Sequence, residues 1–270
     1  MLILEAKTNP KNYWKAIWQR RSLLFYVTRR DLTVRYKQTL VGMSWVLIRP
    51  ILTMLIFSLL FGSIAKLDSS GLPYGFVVFA GIVPWFLFAN LFGETSNSII
   101  ANATMFTKVN CPRLIFPIST LVVGLVDFSL GFILLLAMML WYGIPIQLEI
   151  ICFPIFILSA AMLAIGLGLM AATLNARFRD FQQLIPFVLQ MGIYLSPVGY
   201  LNQLVPKKWE LLYALNPVAG IINGFRWSLT PNVIAPYWPG LIYSVVISIA
   251  MLYLGIKFFR AAEDNFADTI

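Results

Sequence analysis

The chain has 270 residues, 60% of them hydrophobic and only 11% charged, with a formal net charge of +9. That balance is far from a soluble domain and places most of the chain in lipid. The lack of any histidine removes histidine-based metal sites and proton relays, and the scarce acids form neither a metal-ligand set nor a close catalytic pair.

The first 44 residues are cationic, with Lys7, Lys11, Lys15, Arg20, Arg21, Arg29, Arg30, Arg35 and Lys37. At helical spacing Tyr13, Trp14, Ile17 and Trp18 share one arc while Lys15 and Gln19 face away, the pattern of an amphipathic interfacial helix. Arg29, Arg30 and Arg35 follow on a less clean stretch. Two readings stay open for them: a topology signal with a surface anchor, or a site for an anionic lipid headgroup. Nucleic acid is not expected as a partner, because these charges sit directly before a membrane span.

Six apolar runs follow, at about 45–65, 74–92, 114–142, 150–174, 184–200 and 237–259. A hydrocarbon core of about 30 Å takes roughly 20 helical residues to cross, and a helix satisfies its own backbone there. The expected fold is therefore an all-α integral membrane protein with six transmembrane helices. Lys and Arg counts in the tail and in the even-numbered loops (Lys108, Arg113, Arg177, Arg179, Lys257, Arg260) put both termini in the cytoplasm. Cys111 and Cys152 then lie on opposite sides, which forbids an intrachain disulfide. No cleavable signal peptide is expected, since the first apolar run starts late and runs long.

Two connections stand out. In 93–113, Ser96 and Asn97 offer helix caps, and Ile99, Ile100, Ala103 and Phe106 recur near helical spacing before Asn110 and Pro112 end the element. This reads as a short helix outside the membrane, either an ordinary loop helix or one that fits a partner's groove. In 201–236, two short apolar stretches flank Asn216-Pro217, too interrupted to cross. They suggest a re-entrant hairpin, or an amphipathic cap anchored by Trp209 and Trp227.

Charges inside spans need partners. Asp127 lies near the middle of span three, where a carboxylate costs about 2.5–3.5 kcal/mol on insertion scales. A hydrogen bond to a neighbouring helix is the preferred account. Arg49 sits close enough to the inner interface to snorkel, and Glu94 could pair with a tail cation. Among the aromatics, Trp85, Phe88 and Phe92 share one face of span two, and Tyr194 and Tyr200 lie on span five. Such faces could hold a passing ligand by weak, repeated stacking.

The order of motifs points to a family. Arg30, Asp31, Leu32, Arg35, Tyr36, Lys37, Gln38, Leu40, Gly42, Trp45 and Pro50 open the series. Gly81-Ile82-Val83-Pro84-Trp85 comes next, then Ser98, Asn102, Lys108 and Pro112. Asn175-Ala176-Arg177-Phe178-Arg179-Asp180, Ser196-Pro197-Val198 and Asn216-Pro217 complete it. Together they resemble the permease subunits of type-two ATP-binding cassette exporters, most of all those for O-antigen, capsule and teichoic-acid polysaccharides.

The resemblance implies a single permease domain over 1–270. It has an amphipathic region at 1–44, a six-span bundle at 45–259 and a tail at 260–270. It also implies a homodimer with two nucleotide-binding ATPase subunits, in the bacterial inner membrane. A coupling helix in 93–113 (Ser98, Ile99, Asn102, Phe106, Lys108) would meet the ATPase. A hairpin at 201–236 (Trp209, Asn216, Pro217) would gate the exit. The cargo would be a lipid-linked polysaccharide whose anionic head meets Arg29, Arg30 or Arg35.

The residues agree with part of this. The chain contains no G-x-x-x-x-G-K-[ST], so no cofactor is expected on it, and ATP and Mg belong on a partner. Six spans without an internal repeat are few for enclosing a glycan path, which favours a second copy of the chain. Two rivals remain: an exporter of drugs or lipids from the same superfamily, and a membrane glycosyltransferase. The absence of a catalytic acid pair or metal cluster weighs against the second.

Overall fold

A computed structural model describes residues 10–37, 42–106, 111–178, 180–234 and 236–263. Among them there are helices and connections but no strand. Helices α1 (Pro10–Gln19) and α2 (Arg21–Lys37) precede α3 (Trp45–Phe57), which continues into a π-helical stretch, Ser58–Ile64. Then come α4 (Tyr74–Ala101), α5 (Ala103–Phe106), α6 (Ile115–Trp141), α7 (Phe153–Arg177) and α8 (Phe181–Leu195). The described residues continue with α9 (Lys207–Ala214), α10 (Pro217–Leu229) and α11 (Trp238–Ala262).

Five stretches among the described residues are long and apolar enough to cross a membrane: Gly42–Ile64, Tyr74–Ala101, Ile115–Trp141, Leu148–Arg177 and Trp238–Ala262. The expected run at 184–200 is different. Its helix, α8, has 15 residues, about 22 Å at 1.5 Å per residue and short of a 30 Å core. It stops at Ser196 because Pro197 disfavours helical backbone at the residue before it.

α4 is the axis of the bundle. It is apolar on every side, and it packs against α3, α6, α7 and α10 with Phe76, Phe79, Ile82 and Leu91 all but sealed. α7 and α11 meet more closely than ordinary side chains allow. A Cβ added at Gly166 would collide with the Met251 backbone, and one at Gly255 with the Gly166 backbone. The two main chains touch, the small-residue solution to packing where lipid supplies no hydrophobic drive.

α10 has 13 residues, about 20 Å, yet nearly all of it is buried. Asn216 caps it, its side-chain oxygen accepting from the Val218 amide at 3.0 Å, and Pro217 takes the first turn, where no amide donor is needed. Gly220 and Gly224 let α10 press against Ser244 of α11 and Phe156 of α7, near the starts of those helices. This region is called the far end below. The near end holds α1 and the ends of α4, α7 and α11.

At the near end α1 is split between two surroundings. Tyr13 and Ile17 are buried against Ile99, Ile115, Leu169 and Phe259, while Trp14 and Trp18 stay exposed. The apolar arc expected to lie wholly on a membrane surface thus gives one edge to the bundle. Tyr13 donates to Glu263 at 3.0 Å, Glu263 also accepts the Arg113 amide at 2.8 Å, and Arg260 lies over the Tyr13 ring. Burial pushes the Glu263 carboxyl up from its ordinary range.

Replacing Gly166 by Leu should force α7 from α11 and destabilise the protein by about 1–3 kcal/mol. Gly93→Ala adds a Cβ in ordinary contact with Leu189 at 3.6 Å and should be neutral. Thermal unfolding of the detergent-solubilised chain measures both.

Candidate functional site

The near half contains a charged network centred on α2. Arg35 donates to Asp127 of α6 at 2.6 Å and to Glu94 of α4 at 2.7 Å, and the Tyr36 hydroxyl donates to the other Asp127 oxygen. One turn earlier, Arg30 donates to Asp31 at 2.7 Å and to the Asn102 side-chain oxygen at 2.7 Å, while the Ser119 hydroxyl donates to Asp31. The partner expected for Asp127 on a neighbouring helix is therefore present, and it comes from α2. Asp127 is 9% exposed and Glu94 55%, so the first bond carries more energy than the second.

Two adjoining cavities lie along this network. One, of about 350 Å³, lies among α2, α3, α4 and α6 and includes Tyr36, Trp45, Arg49, Asn90 and Asp127 in its wall. The other, of about 450 Å³, is lined by Arg30, Asp31, Asn90 and Glu94 among others. Arg35, Asn90 and Gly124 belong to both, so the two spaces form one groove along the α2–α3 side of the bundle.

The far end is held by a different device. Arg226 of α10 is 1% exposed and donates only to main-chain carbonyls: Val77 at 3.0 Å, Pro197 at 2.6 Å, Val198 at 2.7 Å and Tyr200 at 2.9 Å. Tyr74 donates to the remaining carbonyl of the stretch, Gly199, at 2.5 Å. Asn216 reaches Ser196 at 3.2 Å. The unwound segment after α8 thus has its carbonyls satisfied by protein, the condition for non-helical backbone in an apolar setting. Nothing in the sequence neighbours of Arg226 announces a buried role.

The structure sorts the expected site residues. Trp85 and Phe88 are 4% and 7% exposed, packed in the core with Trp85 against Gly192 of α8, so neither offers a face to a glycan. Phe92 is half-buried and stacks on Phe88. Tyr194 is 58% exposed beside Phe57, and Tyr200 shares a hydroxyl bond with Tyr213 at 3.1 Å.

Ser98, Ile99 and Asn102 also face inward. α4 runs through Ala101 instead of stopping near 92, which carries these residues into the interior; Ser98 donates to the Thr95 carbonyl and Asn102 to that of Ser98. Their side chains are buried in the near end, while Asn97, Ala101 and Thr104 close by are exposed. The separate helix expected in this connection is only the four-residue α5. Lys108 and the Phe106 side chain lie outside the described residues.

Of the three proposed headgroup arginines, Arg30 and Arg35 are engaged by protein groups and Arg29 is exposed. Trp209 is exposed on α9, while Asn216 and Pro217 form the α9–α10 corner.

The family model described as ABC-2 type transporter matches residues 22–230, which takes in α2, the groove and the Arg226 clamp. The chain belongs to the ABC-2 type transporter family. The O-antigen export system permease protein RfbA of Myxococcus xanthus is 26% identical over 258 residues, covering 95% of this chain and 98% of that protein. RfbA of Klebsiella pneumoniae is 24% identical over 249 residues, 92% of this chain and 95% of its own length. The polysialic acid transport protein KpsM of Escherichia coli is 22% identical over 241 residues, covering 87% and 91%. Family and helices together make this a multi-pass membrane permease of the ABC-2 type.

Removing Arg35 leaves the Asp127 carboxylate buried without its counter-ion. Arg35→Gln should destabilise by about 3 kcal/mol, and Arg35→Gln with Asp127→Asn by clearly less than the single change. Glu94→Gln, at an exposed acid, should cost under about 1 kcal/mol. Thermal unfolding of the four proteins in one detergent decides this.

Arg226→Met should expose the 196–200 backbone to faster amide hydrogen exchange, read by mass spectrometry. Arg226→Lys should restore it only in part, because one ammonium cannot reach the four carbonyls that a planar guanidinium serves.

Proposed function

We propose that the chain is the membrane half of an ATP-driven exporter of lipid-linked polysaccharide. It acts as a homodimer in the bacterial inner membrane, with both termini cytoplasmic and the nucleotide burned on two copies of a separate subunit. Similarity to polysaccharide export permeases over nearly the whole chain supports the cargo class.

The observation that carries the assembly is α8. It is apolar yet hardly covered: Ile185 is its one buried residue, while Phe187, Val188, Met191, Tyr194 and Leu195 are exposed. Gln190 is exposed too, near the middle of the helix. An amide facing lipid at that depth lacks hydrogen-bond partners, so a protein surface or a wet path belongs against it. A second copy of the chain supplies both. A hydrated glycan sheds its water hydrogen bonds if it meets hydrocarbon, so a path between two α8 helices, with Tyr194 on its wall, suits the cargo.

In this reading 181–200 forms the sixth crossing, α8 completed by the unwound stretch that Arg226 secures. The α9–α10 hairpin closes the outer end, and the ATPase docks near Asn97, Ala101 and Thr104. ATP drives transport by shifting the preference of the dimer between two states.

The test is reconstitution of the chain with its candidate ATPase and a lipid-linked glycan in vesicles. ATP-dependent transfer of the glycan and a two-copy permease by native mass spectrometry are expected, with Tyr194→Ala slowing transfer. Transport of small hydrophobic drugs in place of the glycan would move the chain to the other branch of the family. Transfer by a single copy without an ATPase would overturn the reading.

A further inference from the structure

Among the described residues, the groove on the α2–α3 side holds one cation that meets no protein partner. Arg35 meets two carboxylates and Arg30 meets Asp31 and Asn102. Arg49 is exposed and contributes to the wall of the 350 Å³ cavity, and among the described residues no hydrogen bond, ion pair or ring contact reaches its side chain.

Its position makes this unusual. Arg49 lies seven residues into the span Gly42–Ile64, about 10 Å of helix from the start of that span. From there an arginine side chain can rise toward the level of lipid headgroups, and a charge at the edge of the hydrocarbon favours an anion beside it.

The surroundings narrow the ligand. Both Asp127 oxygens are already held, by Arg35 and Tyr36, so that carboxylate is not free to turn to Arg49. Trp45 and Phe128 give the cavity apolar walls, and Asn90 and Tyr36 add polar ones. On α3 and the π-helical stretch that continues it, Leu52, Ile56 and Leu59 follow Arg49 on one side and are exposed, a track for an apolar chain continuous with the cation.

We propose that this cavity binds the phosphate of a membrane amphiphile, with Arg49 as its cationic anchor and the α3 stripe as the bed for its tail. The planar guanidinium suits a phosphate by bidentate hydrogen bonding. The inference rests on the export reading only for which amphiphile occupies the site in the cell. Absence of ATP-driven transfer would remove that reading and leave Arg49-dependent binding standing.

The experiment uses the purified full chain in dodecyl maltoside, whose micelles carry no phosphate. Dioleoyl phosphatidic acid, dioleoylglycerol and inorganic phosphate are titrated separately, and bound ligand is counted by native mass spectrometry. Phosphatidic acid should be retained and dioleoylglycerol, with the same tails, should not. Arg49→Gln should weaken retention by about tenfold or more, Arg49→Lys by less, and Arg29→Gln should leave it unchanged. All three variants should melt like the wild type, since both arginines are exposed. Equal retention by Arg49→Gln, or of dioleoylglycerol, would overturn the site. Binding of inorganic phosphate as tight as that of phosphatidic acid would overturn the amphiphile.

Discussion

Main-chain carbonyls without partners are costly in an apolar interior, and the far end of this bundle is organised around that constraint. α8 stops at Ser196, and the chain continues unwound to Tyr200. Arg226 answers three of the freed carbonyls and ties them to Val77 on α4. The same side chain thus fixes α10 to the axis helix and fastens the end of α8. Gly81 of α4 leaves the space that the guanidinium fills, since a Cβ there would collide with it.

The near half uses charge in another way. α2 is held to α4 and α6 by Arg30, Arg35 and Tyr36, so a segment that reads as a surface helix enters the bundle beside Asp127. The groove it leaves is polar on one wall and apolar on the other. This placement turns the cationic tail from a topology signal into part of the permease wall, and it leaves Arg49, not Arg30 or Arg35, facing open space.

Much of this was legible in the sequence. Run length and hydropathy found the five long apolar helices, because burial in lipid is written directly into composition, but they did not show that the run at 184–200 is a shorter helix. The Asn216-Pro217 corner was readable from local turn chemistry. The demand of Asp127 for a partner followed from its depth, and Glu94 pairs with a tail cation as its position suggested. What pattern could not give was which aromatic faces the interior of one chain. Trp85 and Tyr194 look alike in sequence, yet one is sealed and the other open, because the difference lies in how α8 leans on α4. Ser98 and Asn102 lie deeper than the pattern suggests for a related reason. Polar residues near a span end suggest a loop, while here the helix carries on and they bond to its own carbonyls.

The contact between Gly166 and Gly255 bears on how such a molecule can move. Two helices whose main chains touch have no side-chain cushion across which to slide, so α7 and α11 form a stator. α4 and α10 are packed into it. α8, exposed along most of its length, and α3, exposed along one face, are left as the parts free to swing. Any working stroke delivered to this protein therefore has a fixed half to push against and a narrow choice of levers.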